Sequence, residues 1–127
     1  MPVINENVLS LSQSTDLDFV LPSILKFNLD ITAIFTMSDE LLAKTLFHLN
    51  AANRSIPDQL SIISISDGEF PYLAYPQTSH VRDSGKKMGK FASKLLISIL
   101  ENGITPESEY LLSTKTIRLD SVKSISI

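Results

Sequence analysis

The chain has 127 residues, 43% of them hydrophobic, which bounds it to a single domain with enough apolar side chains for a real core. Eleven basic against fourteen acidic residues leave a net charge of -3, so no strong field attracts phosphate backbones and nucleic-acid binding by this segment itself is not expected. The absence of cysteine excludes a disulfide framework and a thiolate metal site, and fits a cytosolic origin.

The opening stretch MPVINENVLSLSQ lacks a basic segment followed by an apolar core, so no signal peptide is expected there. Within it, Val3 to Leu11 gives a weak strand signal. Leu17, Val20, Leu21, Ile24 and Leu25 follow at helical spacing, with Thr15 and Asp18 placed as a cap pair. Pro22 falls inside this pattern and should kink or delay the helix. Ile31 to Thr36 is a short β-branched and aromatic run, as expected of a strand buried on both faces.

Ser38 then offers a helix-capping hydroxyl, and Asp39 and Glu40 occupy the first turn, where the helix dipole favours anions. Leu42, Leu46 and Leu49 mark the buried face of that helix. Asn53 suits a left-handed stop. Leu60 to Ile65 (LSIISI) predicts a second buried strand. Ser66 to Pro76 reads as a loop, and Thr78 to Arg82 as a short strand. From Ser84 to Asn102 the residues Met88, Phe91, Ala92, Leu95, Leu96, Ile99 and Leu100 predict the clearest amphipathic helix, ended by Gly103. Leu111 to Leu119 supplies a strand or hairpin, and the tail SVKSISI is polar enough to fray or to pair on an edge. No apolar run approaches the roughly 20 residues needed to cross a bilayer, so a soluble protein with no membrane partner is expected.

Alternating strands and helices imply βαβ units, an α/β fold and a mainly parallel sheet. Ligands of such sheets bind outside the carboxyl ends of the strands. Two places follow: Thr36-Met37-Ser38-Asp39 and Ser64-Ile65-Ser66-Asp67. Each has a structural reading as well, since Ser38 caps a helix, and Ser66 and Asp67 before Gly68 suit an Asx-type turn. Lys86, Lys87, Lys90 and Lys94 form a basic stripe, read as a solvated face rather than a phosphate site. Ser79 and His80 point to opposite faces of a strand, so with Asp83 they make no triad, and no catalytic residue or cofactor is assigned. With His48 and His80 as the only histidines, no metal site is assigned either. Gly85 and Gly89 lack the strand–turn–helix context of a phosphate loop.

Order and spacing carry a resemblance. Ser38-Asp39 at a strand end, Asn53 at a turn, Pro57-Asp58, and Ser64-Ile65-Ser66-Asp67 at the next strand end stand without gaps. In the lactose-repressor/galactose-repressor (LacI/GalR) family of bacterial transcription regulators the same places hold Asn-Asp, a glycine turn, Pro-Glu-Asp and Gly-(Phe/Tyr)-Asp. Further on, Tyr75-Pro76, Val81-Arg82, Gly89, and Leu111-Leu112 through Ser121 resemble later family segments. The likeness covers about residues 15 to 121.

The resemblance implies a partial type I periplasmic-binding-protein-like fold, a parallel sheet flanked by helices, with residues 1–127 as one partial effector-binding and dimerisation domain from its C-terminal part. It further implies a cytoplasmic homodimer whose small-molecule effector, sugar-like, lies between two lobes, and which reaches DNA only through a domain upstream of Met1. The helix from Ser84 to Asn102 would then pack in a missing lobe, leaving apolar surface exposed here. The effector-binding positions implied are Ser38, Asp39, Ser66, Asp67 and Asp83. The implied dimer contact is the apolar run Phe70, Tyr72, Leu73 and Tyr75 with Phe47 and His48; core packing is the other reading of that run. Ser38 and Ser66 replace a family Asn and Asp, Asp83 replaces a Gln, and no stacking aromatic lies near Leu11 to Gln13, so the standard sugar or purine contact set is not retained. A solute-binding protein of transport and a truncated stand-alone interaction module are the alternatives.

Overall fold

The computed structural model describes residues 7–27, 30–103 and 109–125. A four-stranded sheet runs in the order β1 (Ala33–Thr36), β2 (Ser61–Ile65), β3 (Ser79–Arg82) and β4 (Lys115–Ile117). The first three strands are parallel, as the alternating pattern predicts, and β4 is antiparallel to β3. The helices are α1 (Leu17–Phe27), α2 (Asp39–Ala51), α3 (Phe70–Leu73) and α4 (Gly85–Asn102). Residues 7–11 of the Val3 to Leu11 stretch contain no strand; its first four residues, 3–6, lie outside the described residues.

One face of the sheet carries the core. Leu17, Leu21 and Leu25 of α1 and Leu42 and Leu49 of α2 close on Leu60 and Ile62, with Ile34, Leu46 and Phe70 packed at the margin. These are the helical stripes read from the sequence, and burial of this kind supplies most of a helix's stability. The opposite face stays open: Phe35 is 51% exposed, and Ile63, Ile65 and Val81 are half-buried. β1 is thus buried on one side only, against the two-sided burial its composition suggests.

Local chemistry departs from expectation in three places. Pro22 lies within an uninterrupted α1, which begins five residues before it; its ring removes the bond to the Asp18 carbonyl, and beside that gap Ser23 Oγ donates to the Phe19 carbonyl (3.3 Å). The cap before α1 is a Gln13–Asp16 box around a single 3-10 turn (Ser14–Asp16), not a Thr15–Asp18 pair. Asp18 instead accepts from Lys44 Nζ (2.5 Å) and binds His48 Nε2 (2.9 Å), tying α1 to α2. The predicted loop at Ser66 to Pro76 contains α3, whose first turn includes Pro71, a residue pre-set for a helix start. Asn53 and Gly103 do sit in the left-handed region, at φ 53° and 62°.

Among the described residues, 121–125 of the tail form no edge strand. Ser121, fully buried, wedges between β2 and β3 where their amino ends diverge. Its Oγ accepts from Ser79 N (2.8 Å) and donates to the Ile62 carbonyl (2.6 Å), while its own carbonyl accepts from Ile62 N (2.9 Å). Ser79 Oγ continues the stitch by accepting from Leu119 N (2.9 Å) and donating to Leu119 O (3.2 Å).

Two predictions follow from these contacts. Ser121→Ala strands a buried N–H and loosens a carbonyl, so urea unfolding should show a loss of about 1–3 kcal/mol; an unchanged midpoint would remove the stitch from the account. Lys44 first, and His48 second, hold the Asp18 carboxyl below the usual carboxylate range. A depressed folded value contributes stability that is present above the unfolded value and lost as pH falls through the folded one. Between about pH 5 and about pH 2.5 the urea midpoint should therefore fall less steeply in Asp18→Asn than in the parent sequence.

Candidate functional site

The parallel register pairs Thr36 of β1 with Ser64 of β2, and Ser64 with His80 of β3. All three strands therefore end on the same side, and the residues that follow them share one edge: Ser38-Asp39, Ser66-Asp67-Gly68, and Asp83. Ser38 is the N-cap of α2, its Oγ accepting from Leu41 N at 3.2 Å in extended backbone. That hydroxyl is committed to the helix. Asp39 comes next, on the first turn of α2, where the helix dipole steadies its charge.

Asp39 and Gly68 approach closely. A Cβ placed on Gly68 would lie 2.9 Å from Asp39 Oδ2, closer than packed atoms allow, and at an ordinary 3.8 Å from Ser66 Oγ. The other carboxylate oxygen, Asp39 Oδ1, is enclosed and has no hydrogen-bond partner. Ser66 is 5% exposed; its Oγ accepts from Gly68 N (3.1 Å), forming the turn expected of a Ser-Asp-Gly sequence, and its N donates to Val81 O (3.0 Å). Asp67 reaches across to the next helix, where its Oδ2 accepts from Gly85 N at 3.2 Å, at the start of α4. Asp83 is half-buried after β3, beside Ser84, whose Oγ caps α4 through Lys87 N (3.2 Å).

The edge is thus dominated by acceptors: three carboxylates and two hydroxyls gathered at strand ends and helix starts. Such a set suits a ligand rich in hydroxyl or amine donors. It offers little to nucleophilic chemistry. Ser79 Oγ is engaged by Leu119, and His80, fully buried, places Nδ1 3.0 Å from the Thr78 carbonyl. Among the described residues no group of three His, Asp or Glu side chains converges to hold a metal ion.

The second set of residues divides. Phe47, Leu73 and Tyr75 are 68%, 79% and 96% exposed. His48 turns inward to Asp18; Phe70 packs partly on the core; Tyr72 stacks edge-on against His80 and its hydroxyl accepts from Arg82 Nη2 (2.9 Å). Sequence reasoning missed the Asp39–Gly68 approach and the Tyr72–Arg82–His80 cluster. The Asp67-Gly68 dipeptide signalled a turn, but no local pattern names a partner 29 residues away.

The sequence pattern of the family described as periplasmic binding protein-like domain matches residues 7–122. The chain is 24% identical over 95 residues to a probable HTH-type transcriptional repressor, ExuR, of Bacillus subtilis (strain 168), covering 75% of this chain and 28% of that protein. A LacI family transcriptional regulator from Arthrobacter sp. FB24, in complex with lactose, superposes with a TM-score of 0.75 at 20% identity, over 88% of this chain and 43% of that one. The transcriptional regulator CelR in its cellobiose complex superposes at 0.80 with 21% identity, over 94% of this chain and 37% of that one. The chain therefore spans less than half the length of each of these relatives.

Gly68→Ala should displace the end of the Asp39 side chain, which the added methyl would meet, and so move the amide chemical shifts of residues 38–41 and 66–69; unchanged shifts at residues 38–41 would contradict the close approach.

Proposed function

Because this chain belongs to the periplasmic binding protein-like domain family, we propose that it is the C-terminal, effector-sensing part of a lactose-repressor-type transcription regulator. The observation that carries this reading is the convergence of Asp39, Ser66 and Gly68 at the carboxyl ends of adjacent parallel strands, where open α/β sheets hold ligands. Similarity to a probable repressor and to regulators in complexes with lactose and cellobiose supports a regulator over a transport protein, and a small neutral saccharide as the class of effector.

In this reading Asp39 is the principal contact. Its carboxylate, at the first turn of α2 beside Gly68, is the acceptor for ligand hydroxyls, while Ser38 and Asp67 hold the starts of α2 and α4 and Ser66 shapes the turn; Asp83 closes the third strand end. The effector lies between this lobe and one contributed by the upstream chain, and favours one lobe arrangement over another. A homodimer passes that preference to upstream DNA-binding domains in the cytoplasm. Phe47, Leu73 and Tyr75, apolar and exposed, are the residues of choice for the dimer contact, because His48, Phe70 and Tyr72 are engaged within the chain.

Calorimetric titration of the longer protein, with both lobes present, against a panel of neutral mono- and disaccharides tests the effector reading. Saturable heat with at least one sugar, weakened about tenfold or more by Asp39→Asn, is expected. No heat across the panel, or equal affinity in the variant, contradicts it. For the dimer, the triple variant Phe47→Ala, Leu73→Ala, Tyr75→Ala should sediment as a monomer, each truncation removing about 1–2 kcal/mol of association energy. An oligomer unchanged by all three would refute that contact.

A further inference from the structure

A groove of about 490 Å³ lies far from the strand ends, between the last turns of α1 and α2. Pro22, Leu25 and Ala51 give it an apolar floor, and Lys26, His48 and Arg54 surround that floor with nitrogen. None of the residues lining it is acidic, in a chain whose net charge is -3.

The charges there are not balanced from within. Among the described residues the ion pairs are Lys44 and His48 with Asp18, which leaves Lys26 and Arg54 without a carboxylate. Lys26 Nζ lies 5.5 Å above its neighbour Phe27's ring, and Arg54 Nε is enclosed with no hydrogen-bond partner. The bland account is that cations at helix C-termini answer the dipole. Two helix ends supply about half a negative charge each, so two full cations leave a surplus of roughly one positive charge. Charge surplus and an apolar floor converge on one ligand chemistry.

We propose that this groove binds a small organic carboxylate, its oxyanion answered by Arg54 and Lys26 and its apolar body resting on Pro22, Leu25 and Ala51. The site is separate from the strand-end constellation and does not depend on the nature of the effector. Carboxylate and guanidinium match as a two-bond fork, and removal from bulk water strengthens the pair.

Amide chemical-shift titration with benzoate, with benzamide as its neutral counterpart, tests the proposal on the chain as it stands. Benzoate should saturate and move amides at 23–26 and 51–54, while benzamide moves them little. Arg54→Gln should weaken benzoate binding about tenfold or more, and Lys26→Gln by less. Because Lys26 is solvent-exposed, its variant carries the test if Arg54→Gln fails to fold. Equal binding of benzamide, unchanged benzoate affinity in a folded variant, or shifts confined to residues 38–39 and 66–68 would each overturn the proposal. Binding of inorganic phosphate with none of benzoate would overturn the organic part of it.

Discussion

The parallel register of β1 against β2 is the constraint on which the candidate site depends. Pairing Thr36 with Ser64 brings the two strand ends level, and everything after them follows. Asp39 meets Gly68 because both lie a few residues past paired positions, and Gly68 can come so close only because it has no side chain. A slip of a single residue would turn Ile62 from the core to the open face. The leucines of α1 and α2, which close on Leu60 and Ile62, therefore hold the register as well as the core. Ser121 holds the other end of the same sheet, between β2 and β3.

Much of this was legible in the sequence, and for identifiable reasons. The leucine stripes of α1 and α2 lie at helical spacing, Ser38 and Gly103 punctuate helices in ways that depend on a residue's own backbone, and LSIISI is a short run rich in β-branched isoleucine. These are local signals, so local reasoning found them. The misses were made by partners distant in the chain. Asp18 resembles a capping acid until α2 brings Lys44 and His48 beside it. The polar tail resembles an edge strand until Ser121 is seen bonded to Ile62 and Ser79. The strand-end pattern put Ser38, Asp39, Ser66 and Asp67 on one edge, but it did not separate a side chain that caps a helix, such as Ser38, from one with an oxygen left unpaired, such as Asp39.

What the fold leaves uncovered is as informative as what it buries. α4 has a clear apolar stripe yet no buried residue; Leu96 and Leu100 are 57% and 76% exposed. Its attachments are at its base: the Asp67 and Ser84 bonds to its first turn, and Lys87 to Ser113 (2.8 Å); farther along, Phe91 lies 5.3 Å from Tyr110. The open sheet face around Phe35 is the second such surface. Apolar patches of this extent mark surfaces meant for contact. The relatives are more than twice the length of this chain, and within it Asp67 links the end of β2 directly to the start of α4.

The central claim is that one core, on one face of the sheet, organises the strand ends while α4 relies on contacts from outside it. Native-state amide hydrogen exchange, resolved by residue, tests this most directly. The account predicts slow exchange through α2 and β2, close to the limit set by global unfolding, and much faster exchange along α4 beyond its capped first turn. Protection of α4 equal to that of β2 would contradict the account, because it would require a packing partner for that helix within this chain.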